Sequence, residues 1–135
     1  MHTPINLFKK AMAEKRAQIG LWVGLADGYA AEILAGTGYD WLLVDGEHAP
    51  NDVRSVLAQL QGISSAWSAL PEGATRPQPI VRVPVGDTTL LKQYLDIGAQ
   101  TLLVPMVDTA EQAARMVQGM RYPPEGIRGM GSAPA

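Results

Sequence analysis

Three ionisable side chains, Asp45, Glu47 and His48, follow directly on the apolar run Trp41-Leu42-Leu43-Val44. Gly46 stands among them and lets the backbone turn, and Ala49-Pro50 ends the segment. A histidine close to carboxylates is a proton-transfer group near neutral pH. A further charge, Arg82, lies inside the apolar stretch Ile80-Val81-Arg82-Val83-Pro84, where it needs a partner or a ligand if it points inward. A base, carboxylates and a guanidinium can together accept a proton and hold a developing oxyanion. The same residues also have plain structural readings: Asp45 as a strand end, Glu47 as a solvated loop charge, Pro50-Asn51 as a helix entry. No Ser/His/Asp grouping and no His-x-x-x-His spacing occurs, so triad hydrolysis and a zinc-type motif find no support.

These groups act together only if the chain brings them to one place. The runs 19–23, 41–44, 79–83 and 101–104 read as short strands, rich in β-branched and aliphatic residues. Their near-continuous apolarity suits parallel strands covered on both faces. Between them, apolar residues recur at helical spacing: Ala30, Ile33, Leu34 and Thr37; Val53, Val56, Leu57 and Leu60; Leu91, Tyr94 and Leu95; Ala110, Ala113, Ala114 and Val117. Asn51 or Asp52 can cap the second of these stretches, Asp87 the third, and Asp108 or Thr109 the fourth, with Thr109 and Gln112 in the form of a capping box. Gly38 and Gly98 fall where helices end and a left-handed backbone is needed.

The frame Gly-x-x-x-Leu-Leu-Val occurs at 38–44 and again at 98–104, 60 positions apart. That offset equals two strand–helix units of about 30 residues each. The layout expected is an initial helix over about residues 4–17, then four strand–helix units. Residues 62–79, rich in Ser, Ala, Pro and Gly, are expected to form a surface loop. Four such units imply a doubly wound sheet or a barrel. Gly36-Thr37-Gly38 lacks the third glycine of a dinucleotide fingerprint and precedes a strand, and no Gly-x-x-x-x-Gly-Lys-Ser/Thr loop occurs. The better reading is α/β, the first half of a TIM (β/α)8 barrel, as one incomplete domain over 1–135; a whole barrel needs eight strands and ~250 residues. In either architecture the carboxyl ends of the strands form the functional rim. Trp22 to Asp27, Asp45 with Glu47 and His48, Arg82, and Pro105 to Asp108 are then expected on that rim.

Composition narrows the function classes. The 135 residues are 47% hydrophobic and 18% charged, with a formal net charge of −2, which describes a globular protein without the basic face of a nucleic-acid binder. Lys9, Lys10, Lys15 and Arg16 read as the solvated side of the first helix. The absence of cysteine excludes disulfide scaffolds, thiolate metal sites and cysteine nucleophiles. No signal peptide is recognisable, and no apolar run approaches the ~20 residues of a membrane span. A cytoplasmic enzyme without membrane or nucleic-acid partners fits these limits.

The segments Ile19-Gly-Leu-Trp-Val-Gly-Leu25, Gly38-Tyr-Asp-Trp-Leu-Leu-Val-Asp-Gly-Glu-His-Ala-Pro-Asn51, Thr101-Leu-Leu-Val-Pro-Met106 and Arg121-Tyr-Pro-Pro-Glu-Gly-Ile-Arg-Gly129 resemble the metal-dependent (class II) pyruvate aldolases. The resemblance covers essentially the whole chain apart from 62–79. It implies a β/α barrel, usually assembled as a homo-oligomer, that splits a 4-hydroxy-2-oxo acid such as 4-hydroxy-2-oxoheptanedioate into pyruvate and an aldehyde. It further implies a divalent ion (magnesium, manganese or cobalt) acting as Lewis acid. By motif, His48 corresponds to the general base, Arg82 to the arginine on the enolate oxygen, and Asp96 to the aspartate that raises the histidine's basicity. Trp22 and Asp45 would border the substrate and the metal's water shell. The helical spacing places Asp96 at a helix end away from the rim, so that role would require contact across a subunit interface. The family's metal-ligating Glu and Asp belong to later strands, so no metal ligand is expected within this chain, and the 135 residues alone are expected to be inactive. The alternative expectation is a non-catalytic half-barrel, two copies of which close one eight-stranded ring.

Overall fold

The computed structural model describes residues 5–131. Its strands are β1 (Gly20–Val23), β2 (Trp41–Asp45), β3 (Gln78–Arg82) and β4 (Leu102–Leu103), and its helices α1 (Leu7–Ala13), α2 (Gly28–Ala35), α3 (Val53–Ala69), α4 (Thr88–Asp96) and α5 (Ala110–Met120). All strand pairs are parallel, in the order β1-β2-β3-β4. That is the first half of a TIM barrel: an N-terminal helix and four strand–helix units.

Period-2 alternation divides the strand residues between two faces. Leu42, Val44, Val81 and Val83 pack with Ala31 and Ala35 of α2, Val56, Leu60 and Ile63 of α3, and Leu91 and Tyr94 of α4 in one buried cluster. Trp22, Leu43 and Ile80 share one row of the register, and Asp45, Arg82 and Leu103 another, on the face turned from that cluster. The two charges therefore stand one layer above an apolar floor of Leu43 and Ile80, both buried.

The helices start where short polar side chains satisfy their first N–H groups. Asp27 caps α2, Asp87 caps α4, and reciprocal capping boxes open α3 (Asp52 with Ser55) and α5 (Thr109 with Gln112). Gly38 and Gly98 have φ of +89° and +104°, as their positions after helices led one to expect. The first helix is shorter than the expected span of about 4–17. Asn6 caps it, accepting from the Lys9 N–H, and Lys15, with φ of +55°, ends it; residue 4 lies outside the described residues.

The 62–79 stretch corrects the expectation of a continuous loop, because α3 continues through Ala69. Leu60, Ile63 and Ala66 keep the helical spacing and are buried, while Ser64 and Ser65 face solvent. Gly62, at the head of that stretch, marks close packing against α2: a Cβ there would meet the Gly28 carbonyl oxygen at 2.6 Å. Only residues 70–77 are irregular, leading into β3.

Candidate active site

The last residues of β2 and β3, Asp45 and Arg82, are register partners. Arg82 Nε donates to Asp45 Oδ1 at 2.8 Å and Nη2 to Oδ2 at 2.7 Å, a bidentate pair whose side chains are 18% and 10% exposed. Such a fork fixes the guanidinium plane as well as its position. Arg82 Nη1 lies 2.9 Å from Glu47 Oε2, and the guanidinium carbon sits 4.6 Å from the centre of the Trp22 ring. One face and two edges of the guanidinium are thereby held. Each terminal nitrogen carries two N–H donors, so the second Nη2 N–H is free of Asp45.

Asp45 does more than neutralise Arg82. Its Oδ1 accepts the backbone N–H groups of Glu47 at 3.0 Å and His48 at 3.2 Å. The Arg82 guanidinium, helped by these two amides and against the opposing pull of burial, holds the Asp45 carboxyl down at about 2. Asp45 raises the Arg82 pKa in return. At neutral pH the pair is fully ionised.

Between them the turn is tight. The Gly46 N–H donates to the Arg82 carbonyl at 2.8 Å, and a Cβ at position 46 would meet that oxygen at 2.6 Å. Only glycine lets the β2 backbone lie this close to β3 as it leaves the sheet. The turn delivers His48 to the surface: its side chain is 75% exposed, with Nε2 3.8 Å from the same Glu47 oxygen that faces Arg82.

The structure thus brings Trp22, Asp45, Glu47, Arg82 and His48 to one rim, and it pairs Glu47 with Arg82, a contact that the sequence analysis did not assign. The available signal for Glu47 was the inward arginine on the neighbouring strand, which one carboxylate does not surround. Asp96 is not brought there. It is the last residue of α4, and its Oδ1 accepts from Arg128 Nη2 at 2.6 Å. Strand carboxyl ends lead into helix starts, so the end of α4 lies toward the opposite end of the sheet. Two non-glycine residues on the rim loops, Ala26 and Met106, have φ of +53° and +55°, a left-handed backbone that side chains rarely adopt.

The residues present do not make a metal centre by themselves. Among the described residues no group of three or more His, Cys, Asp or Glu could hold an ion, and both rim carboxylates are turned onto Arg82. Nor, among them, is any helix long and apolar enough to cross a membrane. What the rim offers chemically is a fixed cation with donors to spare, for an oxyanion, beside an exposed imidazole, for a proton.

Comparison with known proteins identifies the family and agrees with the fold. Residues 18–133 match the model of the HpcH/HpaI aldolase/citrate lyase family. A hydroxypyruvate/pyruvate aldolase of Deinococcus radiodurans is 67% identical over 128 residues, covering 95% of this chain and 43% of that protein. A 4-hydroxy-2-oxovalerate aldolase of Rhodococcus jostii is 62% identical over 136 residues, covering 100% of this chain and 49% of the relative. A solved structure from Burkholderia cenocepacia, described as an HpcH/HpaI aldolase/citrate lyase family protein, superposes with a TM-score of 0.85 at 40% identity, over 94% of this chain and 49% of that one. The chain spans about half the length of the curated relatives it matches.

Proposed function

The chain belongs to the HpcH/HpaI aldolase/citrate lyase family, and on that premise we propose that its rim is the proton-transfer and oxyanion corner of a carbon–carbon lyase. The substrate class is a 4-hydroxy-2-oxo acid, such as 4-hydroxy-2-oxoheptanedioate, and the products are pyruvate and an aldehyde. His48, through a water molecule, removes the proton of the 4-hydroxyl. The C3–C4 bond then breaks, its electron pair forms C2=C3, and negative charge collects on the C2 oxygen. Arg82 faces that oxygen with the N–H donors that Asp45 leaves free. Reprotonation at C3 gives pyruvate. Asp45 and Glu47 fix the guanidinium before charge develops, so little reorganisation is needed in the transition state. Trp22 backs the guanidinium and borders the substrate.

Asp96 belongs to this proposal only through a second copy of the chain, which would carry it to His48 of its neighbour in a homo-oligomer. Metal dependence belongs to it as well: the reaction is expected to need a divalent ion such as magnesium, manganese or cobalt, with protein ligands outside these 135 residues. The chain alone is accordingly expected to be inactive, and its setting cytoplasmic.

The observation that carries the proposal is Arg82 locked between Asp45, Glu47 and Trp22 beside the exposed His48. The test is a chimera in which this chain replaces its matched segment in the Deinococcus radiodurans relative. Pyruvate release from 4-hydroxy-2-oxo acids, abolished by a chelator and restored by a divalent ion, supports the proposal. A folded chimera that releases no pyruvate with any of the three ions contradicts it.

A second reading, the non-catalytic half-barrel that closes a ring with its own copy, draws on the open edges of the sheet. Ile19 and Leu25 flank β1 and Leu103 and Met106 lie on or after β4, all large, apolar and exposed. Light scattering on the 135-residue chain decides it: a discrete dimer favours this reading, and a monomer or a broad distribution of sizes opposes it.

A further inference from the structure

Gln59 is fully buried on α3, a position that a residue of this type seldom takes. Its Nε2 donates to Asn51 Oδ1 at 2.7 Å and to the Ser55 carbonyl at 3.1 Å, while its Oε1 has no partner among the described residues. An apolar side chain of similar volume would fill the same space without a stranded acceptor. What the amide supplies is a grip on Asn51. Ser55 Oγ donates to the same Asn51 oxygen at 2.8 Å, so that oxygen is held twice. The other end of the Asn51 amide donates from Nδ2 to the carbonyl of Asp45 at 2.8 Å. This bond joins the two ends of the 46–50 turn.

His48 is the residue most dependent on that closure. Its side chain is 75% exposed, with Glu47 at 3.8 Å its one charged partner among the described residues, so its placement comes from its backbone. Among the described residues that backbone is tied at one point, the His48 N–H to Asp45 Oδ1 at 3.2 Å. We propose that Gln59 and Asn51 form a clamp, anchored in the core, that positions His48 at the rim; Gln59 is a positioning residue, acting through Asn51 and touching no substrate. The consequence for proton transfer rests on the reading of His48 given above, whereas the clamp itself does not.

The clamp is tested on the 135-residue chain by amide hydrogen exchange, with Gln59→Met, which keeps the volume, and Asn51→Asp, which removes the donor to Asp45. Both variants are expected to speed exchange at Glu47 and His48 by about tenfold or more while Val44 and Val81 keep their rates. Unchanged exchange at Glu47 and His48, or equal acceleration at Val44 and Val81, overturns the clamp. In the chimera, Gln59→Met is expected to lower kcat about tenfold with KM changed less than about twofold. Faster exchange without a fall in kcat overturns the link to proton transfer. A parent chimera without activity defeats the reading of His48, and the exchange rates still decide the clamp.

Discussion

Asp45 and Arg82, each the last residue of its strand, face one another in the β2–β3 register and are joined by two hydrogen bonds of 2.8 and 2.7 Å. Register, side-chain geometry and the site's charge balance therefore depend on one pair. The same Asp45 carboxylate accepts the amides of Glu47 and His48, so it organises the turn as well as the cation.

That pair makes stability depend on acid in a defined window. The Asp45 carboxyl titrates near 2 in the folded chain, below the ordinary carboxylate range near 4 that applies when unfolded. A depressed folded value means stability that is complete above about pH 4 and lost as pH falls through about 2, amounting to roughly 2 kcal/mol. Asp52 and Glu111 are also depressed, by a capping bond from the Ser55 amide and by backbone N–H donation at the start of α5, and act in the same direction. Urea unfolding of the parent and of Asp45→Asn at pH 7 and pH 2.5 isolates the pair: the difference between them should be large at pH 7 and shrink at pH 2.5. A difference independent of pH contradicts it.

Gly46→Ala should disturb β2 and β3 together. The added Cβ would lie 2.6 Å from the Arg82 carbonyl, the oxygen that now accepts the Gly46 N–H. Overpacking at such a contact costs about 1–3 kcal/mol, read as a lower urea midpoint with an unchanged slope. Asp45 and Arg82 should also lose their alignment, so that activity in the chimera falls further than stability alone explains.

Asp96 supplies a test of assembly. Within one chain its partner is Arg128, at 2.6 Å. If it reaches His48 only in a neighbouring subunit, His48→Ala and Asp96→Ala chimeras should each be impaired, and co-expression should restore activity through mixed interfaces. Co-expressed proteins no more active than either single variant contradict that role.

The sequence was legible where the determinants are local. Asp87 and the Thr109–Gln112 box open helices because a short polar side chain three residues ahead of an orphan N–H is a local device. The common rim also followed from local reading, because parallel adjacent strands put their carboxyl ends together. The partner of Arg82 did not follow. Asp45 lies 37 residues away, and only the β2–β3 register opposes the two. The second half of α3 was hidden by Gly62 and the serines after it, although Ile63 and Ala66 held the period. The reason for Gly62 is the closeness of α2, a tertiary fact that no window of sequence contains. Arg128 was passed over because it stands in 121–131, a stretch without period, and its bond to Asp96 crosses 32 residues.

The central claim is that His48 moves a proton at a rim whose cation is Arg82. The most direct measurement is the rate of pyruvate release by the chimera carrying His48→Ala, with its fold checked by circular dichroism. A drop in kcat of about 10²–10⁴-fold, the usual contribution of a general base, is the result this account predicts. A folded His48→Ala protein whose kcat stays within about twofold of the parent contradicts it.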